Sequence, residues 1–294
     1  MRFKITFSRT GKQRMLPMDY QYFISAWIYK VLKQADRDFA DFLHEKGYGQ
    51  SETKLYKLFC FSRLNFGKPK LWKEKKLFEI SGYEISLQIS FDIPAAASIF
   101  IKGLFISQDF YLGDKFNGID FKVTSIEALP EPVFCETMRY NLETPWVVSY
   151  RTETDRYPKY LRPFDEGFNE LSLKHIAEKF TNTVRGKLTF DDLVFRIYNG
   201  RDQQGNPVYR EPEPAKWLEE SRYWKRKGFL IKPGTKEESR IVGNLFDFEL
   251  TAPVEVHRMV WNAGVSEKSS EGFGWLKACG NRSDNIKMER LRNK

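Results

Sequence analysis

Residues 83–106 read YEISLQISFDIPAAASIFIKGLFI, and the fold turns on how this run divides. Residues 83–91 read as a strand. PAAASIFIKGLFI, 94–106, fits a helix with Pro94 in its first turn, where a missing N–H costs nothing. The same succession returns near the end of the chain. RIVGNLFDFEL (240–250) reads as a strand, and PVEVHRMVWNAG (253–264) as a helix that again opens on proline, after Thr251. A last strand, Gly274–Cys279, follows it, just as IDFKVTSIEAL (119–129) follows the first helix.

Working outward, RFKITFS (2–8) places Phe3, Ile5 and Phe7 on one face and Lys4 and Thr6 on the other, the period of a strand. LPMDYQYFISAWIYKVLKQAD offers Pro17 and Asp19 as helix-start residues. Within it Tyr22, Ala26, Tyr29 and Leu32, then Ile28 and Val31, recur at helical spacing. RDFADFLHEKG is a second short helix that follows Asp36 and stops at Gly47. Further strands are expected at 55–64, 76–81 and 83–91. The first half thus runs β-α-β-β-α-β, with its first helix split in two.

LPEPV (129–133) reads as a linker. Beyond it, strands are expected at 133–139 and 145–151, a helix at 164–185, a helix-rich or looped insertion to about 215, and strands at 227–232 and 240–250. The shared element order predicts an α+β chain of two tandem ferredoxin-like units, with antiparallel sheets and helices on one face. Residues 1–129 form the first, 130–280 the second with an insertion, and 281–294 a polar tail. No repeat is visible in the residues themselves.

The chain of 294 residues carries a net charge of +9, which favours an anionic partner, nucleic acid or an acidic membrane surface. An apolar fraction of 41% suffices for a core and argues against disorder. Cys60, Cys135 and Cys279 lie far apart with no metal-ligand spacing; Cys60 and Cys279 sit in apolar runs and read as small buried hydrophobes. MRFKITFSRT lacks the apolar core of a secretory signal, and no run approaches a membrane span, so a cytoplasmic location is expected.

GVSEKSSEGFG (264–274) joins the last helix to the last strand. It is neither a P-loop, which needs GK followed by Ser or Thr after a strand, nor a dinucleotide fingerprint, which lies between strand and helix. Two readings remain: a plain connection whose glycines adopt positive φ, or a nest of backbone N–H groups that binds an anion, with Lys268, Ser269 and Ser270 as added donors.

This loop resembles the C-terminal glycine-rich signature of the CRISPR repeat-processing endoribonucleases of the RAMP superfamily, close to G-x-G-x-K-x-S-x-G-F-G. LPMDYQYFISAWIYKVL, FADFLHEKGY and YKLFCFSRL match the same family in the same order. Val265-Ser266 departs from it, where a second early glycine is common, and residues 135–225 carry no matching motif. The resemblance implies that Gly264, Lys268, Ser269, Ser270, Gly272, Phe273 and Gly274 contact RNA. It also implies a catalytic set of tyrosine, histidine and lysine. Tyr29 matches the first, His44 the second and Lys57 the third, with Lys54 as runner-up.

RNA carries its own nucleophile, the 2′-OH. Cleavage then needs a base for the 2′ proton, an acid for the departing 5′ oxygen, and positive charge near phosphorus. Histidine can take either proton role, and the sequence leaves open which one falls to His44. Tyr29 would orient or donate to an oxygen, and Lys57 would offset the phosphorane charge. Without the resemblance, Tyr29 reads equally as a core aromatic, Lys57 as a surface lysine and His44 as a helix-end histidine suited to the dipole. His175 and His257 read as helix-surface or core-edge residues.

NFGKPKLWKEKK (65–76) and SRYWKRKGFLIK (221–232) interleave cations with aromatics, a pattern for phosphate contact and base stacking. Lys68 and Lys70 in the first, and Arg222, Lys225, Arg226 and Lys227 in the second, are the expected RNA contacts. The function expected is a metal-independent endoribonuclease, without cofactor, that cuts CRISPR repeat RNA in its precursor. Hand-over of guide RNA to an effector complex and pairing as a homodimer are compatible with it. The rivals are a non-catalytic RNA-binding subunit of an effector complex and a general RNA-binding protein.

Overall fold

A computed structural model of the chain describes residues 1–279, except 52–53, 184–185, 213–215, 220 and 233–234. The expected polar tail, 281–294, lies outside the described residues. The first unit is built on a five-stranded sheet in the order Phe59–Phe61, Glu84–Phe91, Arg2–Arg9, Gly118–Leu129, Asp109–Gly113, with every neighbouring pair antiparallel. Ile5 and Phe7 of the central strand point into the core, as alternation demands.

Three helices complete this unit: α1 (Gln21–Ala35), α2 (Arg37–Glu45) and α3 (Pro94–Ile106). Pro94 begins α3 as the sequence predicts. Asp36 caps α2, its carboxylate accepting from the Phe39 N–H at 2.9 Å. α1 starts later than expected, at Gln21, without a side-chain cap. Pro17 instead ends the strand Met15–Pro17, and the Asp19 carboxylate accepts the Leu230 N–H at 3.0 Å, tying the lead into α1 to the second unit.

The second unit repeats the arrangement. Its sheet runs Pro207–Arg210, Val194–Arg201, Ser239–Thr251, Thr137–Leu142, Leu276–Ala278, and Trp224–Ile231 pairs with the first part of Ser239–Thr251. Its helices are α4 (Phe168–Asn182), the short α5 (Lys216–Glu219) and α6 (Val254–Ala263). Setting aside the added strands, both sheets place the unit's fourth strand beside its first, then its third, then its second. That is the ferredoxin-like order, twice. Among the described residues, no helix is long and apolar enough to cross a membrane.

Several elements differ from those expected. Residues 55–64 do not form one strand: Lys54–Tyr56 pairs with Tyr48–Ser51, and Phe59–Phe61 joins the main sheet. Leu58, at φ 53, makes the break. Its side chain enters the second unit's core whereas Phe59 enters the first's, so the chain must bend between them. Leu77–Glu79 belongs to a small sheet with Met15–Pro17 and Lys70–Trp72. The insertion before 215 contains the hairpin Val194–Arg201/Pro207–Arg210, whose first strand is integral to the second sheet. On α1 the core face is Ile24, Trp27, Ile28, Val31 and Leu32. Ala26 is exposed, and Tyr22 and Tyr29 are only half-buried. Cys60 is buried as expected, but Cys279 is only half-buried.

Candidate active site

Tyr29 on α1, His44 on α2 and Lys57 in the connection between Lys54–Tyr56 and Phe59–Phe61 meet at one place. His44 occupies the last turn of α2 and is exposed. Its ring meets that of Tyr29 edge to face, centroids 5.0 Å apart and planes at 84°. Tyr29 packs in turn against Phe59, at 5.6 Å and 77°. Lys57 donates from Nζ to the His44 backbone carbonyl at 2.7 Å. A cation on a last-turn carbonyl satisfies an orphan acceptor and suits the helix dipole. Gly47, at φ 77, lets the chain turn away close to Lys57 and the Tyr56 carbonyl. Lys57 thus holds the end of the helix that presents His44. Burial lowers its pKa from the usual lysine value. Lys54 lies in the strand Lys54–Tyr56, and its side chain lies outside the described residues.

The glycine-rich loop completes the site from the second unit. The Ser270 side chain lies beside the Tyr29 hydroxyl, and the Ser270 carbonyl accepts from Ser25 Oγ of α1 at 2.8 Å. Burial, with the Glu271 carboxylate nearby, holds the Tyr29 phenol well above its ordinary pKa. It is therefore a neutral donor throughout the physiological range. Burial also raises the Glu271 carboxyl, against the opposing pull of Lys268 and Lys232.

The N–H groups in the second half of the loop are bonded within the second unit: Glu271 N to Lys268 O, Gly272 N to Ser269 O, Phe273 N to Lys268 O and Gly274 N to Pro145 O. Ser269 is buried, donating to Ser266 O, and Phe273 is buried against Phe229 at 5.3 Å. Gly264, Gly272 and Gly274 all have positive φ, and a Cβ on Gly272 would run into the Phe61 ring of the first unit. These residues shape the loop and dock it on the first unit. Of the loop residues expected to contact RNA, Lys268 is exposed and Ser270 half-buried, and the rest are buried.

Arg222, Lys225, Arg226 and Lys227 are exposed at the start of Trp224–Ile231, and Arg226 donates to the Tyr160 carbonyl at 2.9 Å. Lys68 and Lys70 are exposed on the ribbon that contains Trp72. The Lys70 ammonium lies 4.5 Å from the Trp72 ring centre and 3.9 Å from Glu79. Both basic ribbons are anchored at residues 15–20, through Leu230–Asp19 and Lys76–Met18, rather than at His44. His257 is fully buried, bonded at 3.0 Å to both the Tyr140 hydroxyl and the Glu136 carbonyl, and burial lowers its pKa. His175 sits half-buried beside Tyr56. A cavity of about 580 Å³ beside α4, lined by Asp165, Glu166, Glu170 and Asp191 among others, contains none of the site residues.

Two ferredoxin-like units with a glycine-rich loop docked from the second onto the first give the chain the fold of RAMP proteins. A RAMP protein binding different RNA substrates superposes with a TM-score of 0.72 at 20% identity, over 95% of this chain and 100% of that one. The product of a Cas6-related gene from Pyrococcus furiosus superposes at 0.73 and 22% identity, over 96% and 99%. The N-terminal model of CRISPR-associated protein Cas6 matches residues 15–127 and the C-terminal model residues 129–278. The chain belongs to the Cas6 family. It is 23% identical over 291 residues to the CRISPR-associated endoribonuclease Cas6 of Pyrococcus furiosus, covering 96% of this chain and 92% of that protein.

Proposed function

We propose that this chain binds CRISPR repeat RNA and cuts the precursor transcript within each repeat, without a metal. The 2′ oxygen forms a bond to phosphorus as the bond to the 5′ oxygen breaks, leaving a 2′,3′-cyclic phosphate or its 3′-phosphate hydrolysis product and a 5′-OH. One proton leaves the 2′-OH and one reaches the 5′ oxygen. His44 carries one of these two transfers. Tyr29 donates a hydrogen bond from a hydroxyl that burial keeps protonated. Lys57 fixes His44 through its carbonyl and offers its remaining N–H groups to the phosphate. The exposed lysines and arginines of the two ribbons hold the RNA backbone.

The observation that carries this reading is the Tyr29–His44 ring contact at 5.0 Å, with Lys57 bonded to the same histidine. The test is labelled repeat RNA incubated with the chain, with and without EDTA, beside His44→Ala. Cleavage that survives EDTA and vanishes with the imidazole is expected, with end groups mapped by phosphatase and kinase treatment. Cleavage unaffected by His44→Ala overturns the site, and cleavage abolished by EDTA overturns the metal-free mechanism.

A further inference from the structure

Lys179 of α4 is 3% exposed, which is unusual for a lysine. Burial lowers its pKa to about 8, partly opposed by the Cys60 thiol and the Asp92 and Glu267 carboxylates around it. A methionine would fill much the same volume with no charge to desolvate. What the ammonium adds is a pair of hydrogen bonds, to the carbonyls of Gly264 at 2.9 Å and Ser266 at 3.3 Å. They clamp the first turn of the glycine-rich loop.

From that clamp a connected path leads to the site. The Ser266 carbonyl also accepts from Ser269 Oγ at 2.7 Å, and Ser266 Oγ accepts the Val147 N–H at 3.0 Å. The next residue after Ser269 is Ser270, whose carbonyl holds Ser25 Oγ on α1, four residues before Tyr29. Lys179 itself bonds the loop, not Tyr29, His44 or Lys57. Its hydrogen bonds set the loop's start, and the loop's apex is bonded to the helix that carries Tyr29.

We infer that Lys179 is a positioning residue for RNA cleavage, fixing the glycine-rich loop so that its Ser270 carbonyl holds Ser25 of α1, one turn before Tyr29, and so keeps Tyr29 in place beside His44. This rests on the nuclease reading. Misplacing a reacting group by 1 Å can cost about 10²-fold, so a loosened loop should lower the rate of the chemical step more than it lowers affinity.

The test compares wild type, Lys179→Met and Lys179→Arg in single-turnover cleavage of labelled repeat RNA, equilibrium RNA binding and thermal melting. Lys179→Met should keep or raise Tm, since it relieves the buried charge. Its RNA affinity should stay within about threefold while its cleavage rate falls by about tenfold or more. Lys179→Arg, which keeps donors for both carbonyls, should recover part of the rate. A Lys179→Met rate within about threefold of wild type overturns the inference. So does a loss of rate that only follows a loss of fold. If Lys179→Met does not fold, Lys179→Gln is judged by the same criteria, and failure of both to fold makes the role structural and overturns the inference. A wild-type chain that cuts no repeat RNA sinks the nuclease reading itself, and this inference with it.

Discussion

The edge-to-face contact of Tyr29 with His44 joins a residue in the middle of α1 to one in the last turn of α2. Both side chains stand on helices, and the ring of Tyr29 is backed by Phe59 from the sheet. The histidine is exposed and the tyrosine half-buried, so a solvent-borne phosphodiester can reach the first while the second stays dry enough to remain protonated. Helices therefore carry both rings, and the glycine-rich loop braces the helix of Tyr29 at Ser25.

His44→Ala should lower single-turnover cleavage by about 10²–10⁴-fold, the usual range for a positioned proton carrier. The side chain is exposed, so the melting temperature should hardly move. A variant that cuts repeat RNA at near wild-type rate removes His44 from the mechanism.

Tyr29→Phe keeps both ring contacts and deletes only the hydroxyl. The rate should drop by about tenfold or more, while the fold is retained. Because burial raises the phenol's pKa, Tyr29 contributes no limb to the pH–rate profile below about pH 10. The variant's profile should thus match the wild type in shape and differ in height. A limb that disappears with the hydroxyl would show that Tyr29 ionises during turnover.

Gly272→Ala should act first on stability. The resemblance implies that Gly272 contacts RNA; in the structure it is buried against the first unit. Gly272 has φ 85, and an added Cβ would strike the Phe61 ring across the interface between the units. Overpacking typically costs about 1–3 kcal/mol, and the left-handed backbone adds roughly 1 kcal/mol. Thermal melting measures it; an unchanged Tm would mean that the loop and Phe61 can separate without cost.

The helices that open on proline were legible because Pro94 and Pro253 mark their start by local chemistry alone. The three catalytic candidates were legible only through the family pattern; periodicity assigned Tyr29 to a core face that Ile24, Trp27, Ile28, Val31 and Leu32 in fact occupy. The strand Val194–Arg201 was hidden in a stretch read as insertion, because its place in the sheet comes from pairing with Ser239–Thr251, far along the chain. Arg2 and Lys179 look like surface cations in any local window. Their burial depends on partners at Trp261, Gly264, Ser266 and Leu276, at sequence separations no local pattern reports.

Arg2→Ala should loosen the two units from each other. The guanidinium carbon lies 3.3 Å from the centre of one Trp261 ring and 3.9 Å from that of Trp275. Arg2 Nε donates to the Trp261 carbonyl at 3.1 Å and Nη1 to the Leu276 carbonyl at 2.7 Å. Losing a desolvated cation–π contact and leaving buried acceptors unpaired should cost about 2–4 kcal/mol. Arg2→Lys should recover little, because an ammonium cannot stack between two indoles while serving both carbonyls. Denaturant unfolding decides it: near-equal midpoints for wild type and Arg2→Ala would show that the sandwich contributes nothing.

Glu271→Gln should stabilise the chain at neutral pH and not in acid. Burial raises the Glu271 pKa above its ordinary 4.5, and one carboxylate oxygen is buried without a hydrogen-bond partner. Between the unfolded and folded pKa values the folded chain therefore binds more protons than the unfolded one. By linkage, the stability this group contributes is complete below about pH 4.5 and is lost as pH rises through the folded pKa. Glutamine has no charge to desolvate, so the variant should melt above wild type at pH 7, with the gap closing as pH falls toward 4. A gap that is constant with pH, or a variant that melts below wild type at pH 7, would mean that attraction to Lys268 and Lys232 outweighs burial at this carboxylate.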